Sequence, residues 1–351
     1  MSQPIDAHYH IITGRLAQSI VEDVASRCAE RYGFTYSIGV MPITVAALIT
    51  SKWLVRHLDV PPDATHVIVP GHCVDIEKIQ EKTTVPIIRG PKDIRDLPDL
   101  FDADSASIMP DLVQHSIDII AEINHAPRME MKTILATARE YIAAGADMID
   151  LGCDPEQSWS GVGECVRRLV GEGIPVSIDS FDPVEVTSAV DAGASLVLSV
   201  NETNRERALD WGAEVVVIPG MNRDEKSFEE TIFFLLEHDV RVRLDPILDP
   251  LGVGFTDSVA RYRSTRHRFP ELPMMMGIGN LTELTDVDSA GVNVLLMGIC
   301  QELRIESVLT TQVINWARSS IKECDLARRM VHYSVSNQTP PKRVSDALVM
   351  L

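Results

Sequence analysis

The chain has 351 residues, 45% of them hydrophobic but only 5% aromatic, and a formal net charge of −19. That length accommodates one large domain and a smaller one, and the Val-, Ile-, Leu- and Ala-rich make-up suits parallel strands buried on both faces better than an antiparallel sandwich. The charge argues against a nucleic-acid partner, since no basic patch offsets it.

Cys28, Cys73, Cys153, Cys165, Cys300 and Cys324 are scattered without a CxxC pair, which argues against structural zinc and against a disulfide framework. No signal-peptide pattern and no apolar run of membrane-spanning length is found, so a cytoplasmic protein without a membrane partner is expected.

In chain order, residues 8–14 (HYHIITG) read as a strand, and an amphipathic helix follows over 16–31 with Leu16, Ile20 and Val24 on one face. Strands are expected at 34–42, 65–71 and 85–91, with a helix over 45–58. Gly14, Gly71 and Gly90 stand at strand ends, where backbone can approach closely. The pattern predicts a small Rossmann- or flavodoxin-like α/β domain over 1–112. Neither G-x-G-x-x-G nor a Walker sequence is present, so an interaction or structural role is the default for it. The Asp- and Pro-rich stretch 91–112 reads as a boundary.

From residue 117 eight further strand and helix units follow, with strands at 117–125, 147–152, 175–179, 195–201, 214–220, 241–247, 273–280 and 306–312. Eight alternations of nearly constant length predict a (β/α)8 TIM barrel over 113–351. The helix start after residues 175–179 is marked by Asp182 and Pro183, an N-cap and a first-turn proline. The Arg-rich run 261–269 (RYRSTRHRF) reads as a solvated helix face. The apolar run 293–300 (NVLLMGIC) reads as an inward-facing helix stripe, with a dimer contact as the alternative.

A barrel of this kind carries its site at the C-terminal strand ends. The polar residues there are Glu122, Asn124, His125, Asp150, Asp154, Asp179, Asn201, Glu202, Asp245, Asp249, Asn280, Glu283, Thr310, Thr311 and Gln312. Such an acidic and amide-rich ring suits a flat, nitrogen-rich heterocycle, because a carboxylate accepts from an N–H and an amino group side by side. Asn124, Asp150 and Asp154 are also candidates for oxygen ligands to Mg²⁺. Cys153 near His125 is the one candidate nucleophile.

These tips carry a resemblance. AEINHAP (121–127), ADMIDLG (146–152), IPVSIDSFDPVEVTSAVDAGA (174–194), RLDPI (243–247) and MGIGNLTE (276–283) are similar to the pterin-binding barrels, dihydropteroate synthase and the methyltetrahydrofolate-dependent methyltransferases. The resemblance covers about two thirds of the chain. It implies a pterin held by Asp179 and Asp245, with Glu122, Asn201 and Asn280 also at the ring, and Asn124 helping to hold Mg²⁺ and diphosphate. Asp179, Asp245 and Asn280 would be the catalytic set. Leu198, not Asn201, aligns with the family's fourth-strand Asn.

Three departures stand out. The loop 151–159 lacks the family's Arg, and Thr310 and Gln312 stand where the last strand normally brings an Arg and a His. Each missing donor to a leaving diphosphate is worth roughly 2–4 kcal/mol at a transition state.

With a small α/β domain ahead of the barrel, the chain resembles the dihydropteroate synthase-like proteins linked with tetrahydromethanopterin biosynthesis. That implies a transferase of one-carbon metabolism joining a dihydropterin methyl diphosphate to an arylamine, as a homodimer. A methyl-tetrahydropterin-dependent methyltransferase and a non-catalytic pterin-binding protein are the alternatives.

Overall fold

The computed structural model describes residues 7–101, 112–155, 157–221, 223–342 and 344–349. The chain divides into two compact units, Met1–Leu112 with Tyr333–Asp346, and Val113–His332 with Ala347–Leu351.

In the first unit, β1 (His8–Gly14), β2 (Thr35–Met41), β3 (His66–Val69) and β4 (Ile87–Arg89) form a parallel sheet in the order β2-β1-β3-β4. Helix α1 (Gln18–Tyr32) buries Ile20, Val21, Val24, Ala25 and Cys28 on one stripe and stops at Gly33, whose φ of 72° is natural only for glycine. The helix expected over 45–58 is shorter. Thr50 accepts a hydrogen bond from the Trp53 N–H, and this cap starts α2 (Ser51–His57) only there, after a single 3-10 turn at Ala46–Leu48. The short α3 (Glu77–Gln80) precedes β4.

The expected boundary stretch 91–112 is partly core instead. Its turn Ile94–Leu100 buries Leu97 in the same apolar cluster as Tyr9, Ile11 and Val24, and residues 102–111 lie outside the described ones. The C-terminal segment Tyr333–Asp346 also belongs to this unit rather than to the barrel. Ser19 donates to Asn337 at 2.9 Å, and Arg95 donates to the Lys342 carbonyl at 2.8 Å.

The second unit is an eight-stranded parallel barrel with helices around it. Its strands are β5 (Asp118–Ile123), β6 (Met148–Gly152), β7 (Val176–Asp179), β8 (Leu196–Val200), β9 (Glu214–Val217), β10 (Val242–Leu244), β11 (Met275–Gly277) and β12 (Ser307–Thr310). They pair in the order β10-β9-β8-β7-β6-β5-β12-β11, and a parallel bridge between Leu244 and Met274 joins the two ends. Between and after them run α4 (Met131–Ala144), α5 (Val162–Gly171), α6 (Pro183–Asp191), α7 (Glu225–Glu237), α8 (Phe255–Arg268), α9 (Gly279–Thr282), α10 (Ser289–Leu303) and α11 (Ser320–Ser336). Asp182 caps α6 through the Val184 N–H at 2.8 Å, and Asp224 caps α7 through the Ser227 N–H at 3.0 Å.

Alternate strand residues fill the barrel in layers. Near the bottom, Arg243 donates to Glu214 and to Ser307, each at 2.8 Å. Above them Ile120, Leu196, Leu198, Val216 and Met275 form a small apolar cluster of their own. On β5, β6 and β7 the next positions toward the C-terminal ends bring the acids Glu122, Asp150 and Asp179.

Two expected helix faces are resolved by the packing. Asn293, Leu296, Met297 and Cys300 of α10 are buried, so the run 293–300 is an inward stripe, with Leu295 left exposed. The run 261–269 is not simply a solvated face, because Tyr262 and Arg266, four residues apart, are both buried. Arg266 donates to the carbonyls of Leu303, Pro270 and Leu272, at 2.9, 3.0 and 2.8 Å.

Candidate functional site

At the C-terminal mouth of the barrel lies a cavity of about 310 Å³, bordered by Glu122, Asn124, Asp179, Asp245, Asn280 and Glu283, with Leu198, Ser199, Ile247, Gly277 and Thr311 among the remaining walls. Four carboxylates line it, and no Lys, Arg or His does among the described residues.

The strand register explains this convergence. Glu122 of β5 pairs with Asp150 of β6, which pairs with Ser177 of β7, while Gly152 pairs with Asp179 two residues further up. Gly152 leaves room for Glu122, since a Cβ there would stand 2.7 Å from the Glu122 carboxylate and push it aside. Asp150 is fully buried beneath. Its Oδ1 accepts from Ser177 Oγ at 2.6 Å, and its Oδ2 has no partner among the described residues.

Such crowding has an electrostatic cost that protons relieve. Burial, followed by the charges of Asp179 and Glu283, pushes Glu122 up to about 7. Burial, with the charges of Asp179 and Glu122 added, also raises Asp150 strongly. Asp179 is raised by burial and partly relieved by a hydrogen bond from Ser199.

Asp245 is held from several sides. Its Oδ1 accepts from the Tyr262 hydroxyl and, at 2.7 Å, from the Ile247 N–H, while burial pushes its pKa up to about 6. Ile247 adopts φ 66°, a conformation that costs a β-branched residue roughly 1–3 kcal/mol, so backbone strain is spent on aiming this N–H. Asp245 Oδ2 remains on the cavity side, 3.7 Å from where a Cβ on Gly277 would stand.

The expected site residues therefore sort as follows. Glu122, Asn124, Asp179, Asp245 and Asn280 meet in one cavity, and Asn280 Nδ2 donates to the Leu248 carbonyl at 3.3 Å. Asn201 is not among the lining residues. Its Oδ1 accepts from the Thr203 N–H and hydroxyl at 2.9 and 2.6 Å, folding the loop after β8. The cause is a bulge, with the β8–β9 register shifting between Val197 and Val200 and Ser199 at φ 65°. Leu198 and Ser199 face the cavity in its place.

At β12 it is Thr311 that lines the wall, donating to Glu283 at 2.7 Å. Thr310 is buried against Ser320, and Gln312 accepts from the Ile321 N–H. Asp154 pairs with His125 and Arg128 at 2.7 Å each, and Asp249 pairs with Arg223 and Arg261, so both acids hold loops. Burial beside Glu185 drives the Cys153 thiol far above its usual range, which removes it as a nucleophile.

The set Asn124, Asp150 and Asp154 is not assembled around an ion, because Asp154 turns to His125 and Arg128 and Asp150 to Ser177. Asn124 alone fits an oxygen ligand. Its Oδ1 is buried at the cavity and has no hydrogen-bond partner among the described residues. Among the described residues no group of three His, Cys, Asp or Glu could hold a metal, so Mg²⁺ there would take the rest of its shell from water and substrate oxygens.

Tyr262 and Ser199 support the acids without having been singled out by sequence reasoning. The signal for Tyr262 is the four-residue spacing of Ser258, Tyr262 and Arg266 within an otherwise polar helix, a buried stripe in disguise.

One prediction follows from the acids alone. The folded state holds Glu122 protonated until pH about 7, whereas the unfolded chain releases that proton near 4.5. This carboxyl therefore costs nothing below pH 4.5, and the cost grows as pH rises to about 7 and is complete above it. Glu122→Gln is expected to leave stability unchanged at pH 4 and to raise it by about 2–3 kcal/mol at pH 8, on about 1.4 kcal/mol per pH unit. Urea unfolding at both pH values reads this, and parallel stability profiles of the two proteins would refute it.

Residues 123–230 match the family described as "Pterin binding enzyme", and residues 7–92 match a family of unknown function, DUF6513. An uncharacterized protein of Methanocaldococcus jannaschii is 26% identical over 97% of this chain and 77% of its own length. Among solved structures, a Yersinia pestis dihydropteroate synthase with a sulfonamide drug aligns with a TM-score of 0.51 at 18% identity, covering 66% of this chain and 97% of that one. A Coxiella burnetii dihydropteroate synthase in complex with pteroic acid aligns with a TM-score of 0.50 at 15% identity, covering 64% and 95%. At these identities the structural likeness is one of fold.

Proposed function

From the premise that the barrel half of this chain belongs to the dihydropteroate synthase-like pterin-binding family, we propose that it is a transferase of tetrahydromethanopterin or folate-type biosynthesis, joining a dihydropterin methyl diphosphate to an arylamine. The observation that carries the reading is that Asp179 and Asp245, from strands on different sides of the barrel, border one cavity whose described lining residues include no cation. A pterin's amino-pyrimidine edge offers two or three N–H donors and no net charge. Two carboxylates in a dry cavity are strong acceptors for such an edge.

Asp245 is pre-aimed by Tyr262 and Ile247, and Asp179 by Ser199, so little ordering remains to be done when the ring arrives. Glu122 and Asn280 border the same ring position. Asn124 would present its unpartnered Oδ1 to Mg²⁺, which when bound would neutralise charge on the departing diphosphate. The ligand named for the Coxiella burnetii structure, pteroic acid, agrees with this substrate class. A homodimer and a cytoplasmic setting belong to the same reading.

The cation-free lining gives specific support to a second reading, methyl transfer from a tetrahydropterin, in which no diphosphate has to be stabilised. Calorimetric titration with a 7,8-dihydropterin tests both at once. Saturable binding lost in Asp179→Ala is expected, and equal affinity of variant and wild type would reject the site. Release of diphosphate when the dihydropterin methyl diphosphate and 4-aminobenzoate are added separates the transferase from the methyltransferase.

A further inference from the structure

The first unit contains a cavity of its own, of about 330 Å³, at the C-terminal edge of its sheet. We propose that this cavity binds a small amphipathic carboxylate, an aryl or alkyl body with one anionic end.

Position is the first argument. The sheet order β2-β1-β3-β4 reverses direction between β1 and β3, and parallel sheets open a crevice at such a point, beyond the carboxyl ends of the strands. Thr13 of β1 and Val69 of β3 border the cavity there. At 330 Å³ it sits at the small end of the roughly 300–1,000 Å³ range of ligand pockets.

The walls define the body of the ligand. Ile20 and Val21 of α1, Val69, and Ile94 of the following turn present hydrocarbon, so an apolar group filling the space would be largely desolvated.

The polar features define its end. Thr13 is 2% exposed, yet its hydroxyl has no hydrogen-bond partner among the described residues and it borders the cavity. That hydroxyl opens onto the cavity, where a ligand or a water can complete it. Lys92 and Lys342 stand at the exposed side of the lining, and neither has an ion-pair partner among the described residues. Asp93, the lining's one carboxylate, is already engaged by Arg95 at 2.8 Å. Ala17, where the 3-10 turn Arg15–Ala17 runs into α1, borders the space as well.

A carboxylate fits better than a phosphate because the glycine tip is closed. Gly90, the glycine of the lining, already donates its N–H to the Val69 carbonyl at 2.9 Å and is not free to wrap a phosphate.

The test uses the full chain and two probes of one shape, 4-phenylbutyrate and 4-phenylbutanol, titrated calorimetrically. The wild type is expected to bind the anion at least tenfold more tightly than the alcohol. The surface double variant Lys92→Ala/Lys342→Ala should fold normally and bring the two affinities together. Thr13→Val, of equal size, should weaken the anion about three- to tenfold, and Ala17→Phe, which fills the space, should abolish both. Absence of binding by either probe, equal affinities in the wild type, or a preference that survives in the double variant would each overturn the proposal. Because no barrel residue is altered, the dihydropterin titration of the same variants stays at its wild-type value, which keeps the two sites separable.

Discussion

Replacing Asp245 by Asn is expected to weaken dihydropterin binding by about 30- to 1,000-fold, roughly 2–4 kcal/mol at about 1.4 kcal/mol per factor of ten. The substitution keeps size and burial but changes what the group can accept. In the native protein Oδ1 takes hydrogen bonds from Tyr262 and Ile247, which fixes the plane of the carboxylate and leaves Oδ2 toward the cavity. An Asn cannot keep both internal donors on its oxygen and also turn an acceptor to the ligand. Its NH2 group would then face either the Ile247 N–H or the ring's own donors. Calorimetry reads the loss directly, and an affinity within threefold of wild type would show that Asp245 is structural rather than ligand-binding.

The second large effect concerns the fold beneath the site. Arg328 of α11 is only 2% exposed as a side chain, and it donates to the Ile117 carbonyl at 2.7 Å, to Asp147 at 2.5 Å, to the Gly145 carbonyl at 3.1 Å and to Asp325 at 2.8 Å. It thus ties the entries of β5 and β6 to the last helix. Asp147 in turn accepts from the Ile119 N–H at 2.8 Å. Removing the guanidinium takes a donor from the Ile117 and Gly145 carbonyls and an ion-pair partner from Asp147, which keeps the Ile119 N–H, and from Asp325, which keeps Arg329. Losing a buried donor to several acceptors at once costs about 2–4 kcal/mol. Arg328→Met is expected to lose that much in urea unfolding at neutral pH. A loss under about 1 kcal/mol would mean that water replaces the guanidinium at no cost.

Much of the barrel was legible because its rhythm is local. Residues such as Val176 to Asp179 declare a buried strand by composition and its end by a single polar residue, and the cap formed by Asp182 and Pro183 marks the next helix. The acids at the tips were legible for the same reason. What alternation cannot show is a break in alternation. The bulge at Ser199 rotates β8 so that Leu198 and Ser199 meet the cavity, and Asn201, three residues further on, serves its own loop. Partners far apart in the chain were hidden as well. Tyr262 reaches Asp245 across 17 residues, and Arg328 reaches Ile117 across 211. In the first unit a cap at Thr50 shortened a helix that hydrophobic spacing alone extends, and the tail after Ser336 gave no sign that it joins that unit.

The unpartnered oxygen of Asp150 has a consequence for the empty barrel. With Glu122 and Asp179 beside it, Asp245 in the same cavity wall as they are, and no base among the described lining residues, these acids keep their protons to a higher pH than a surface cluster would. The mouth of the barrel is a small reservoir of hydrogen ions. A guest rich in N–H groups would take over their task and send some of them into solvent, which would tie occupancy to acidity through a side chain outside the cavity lining.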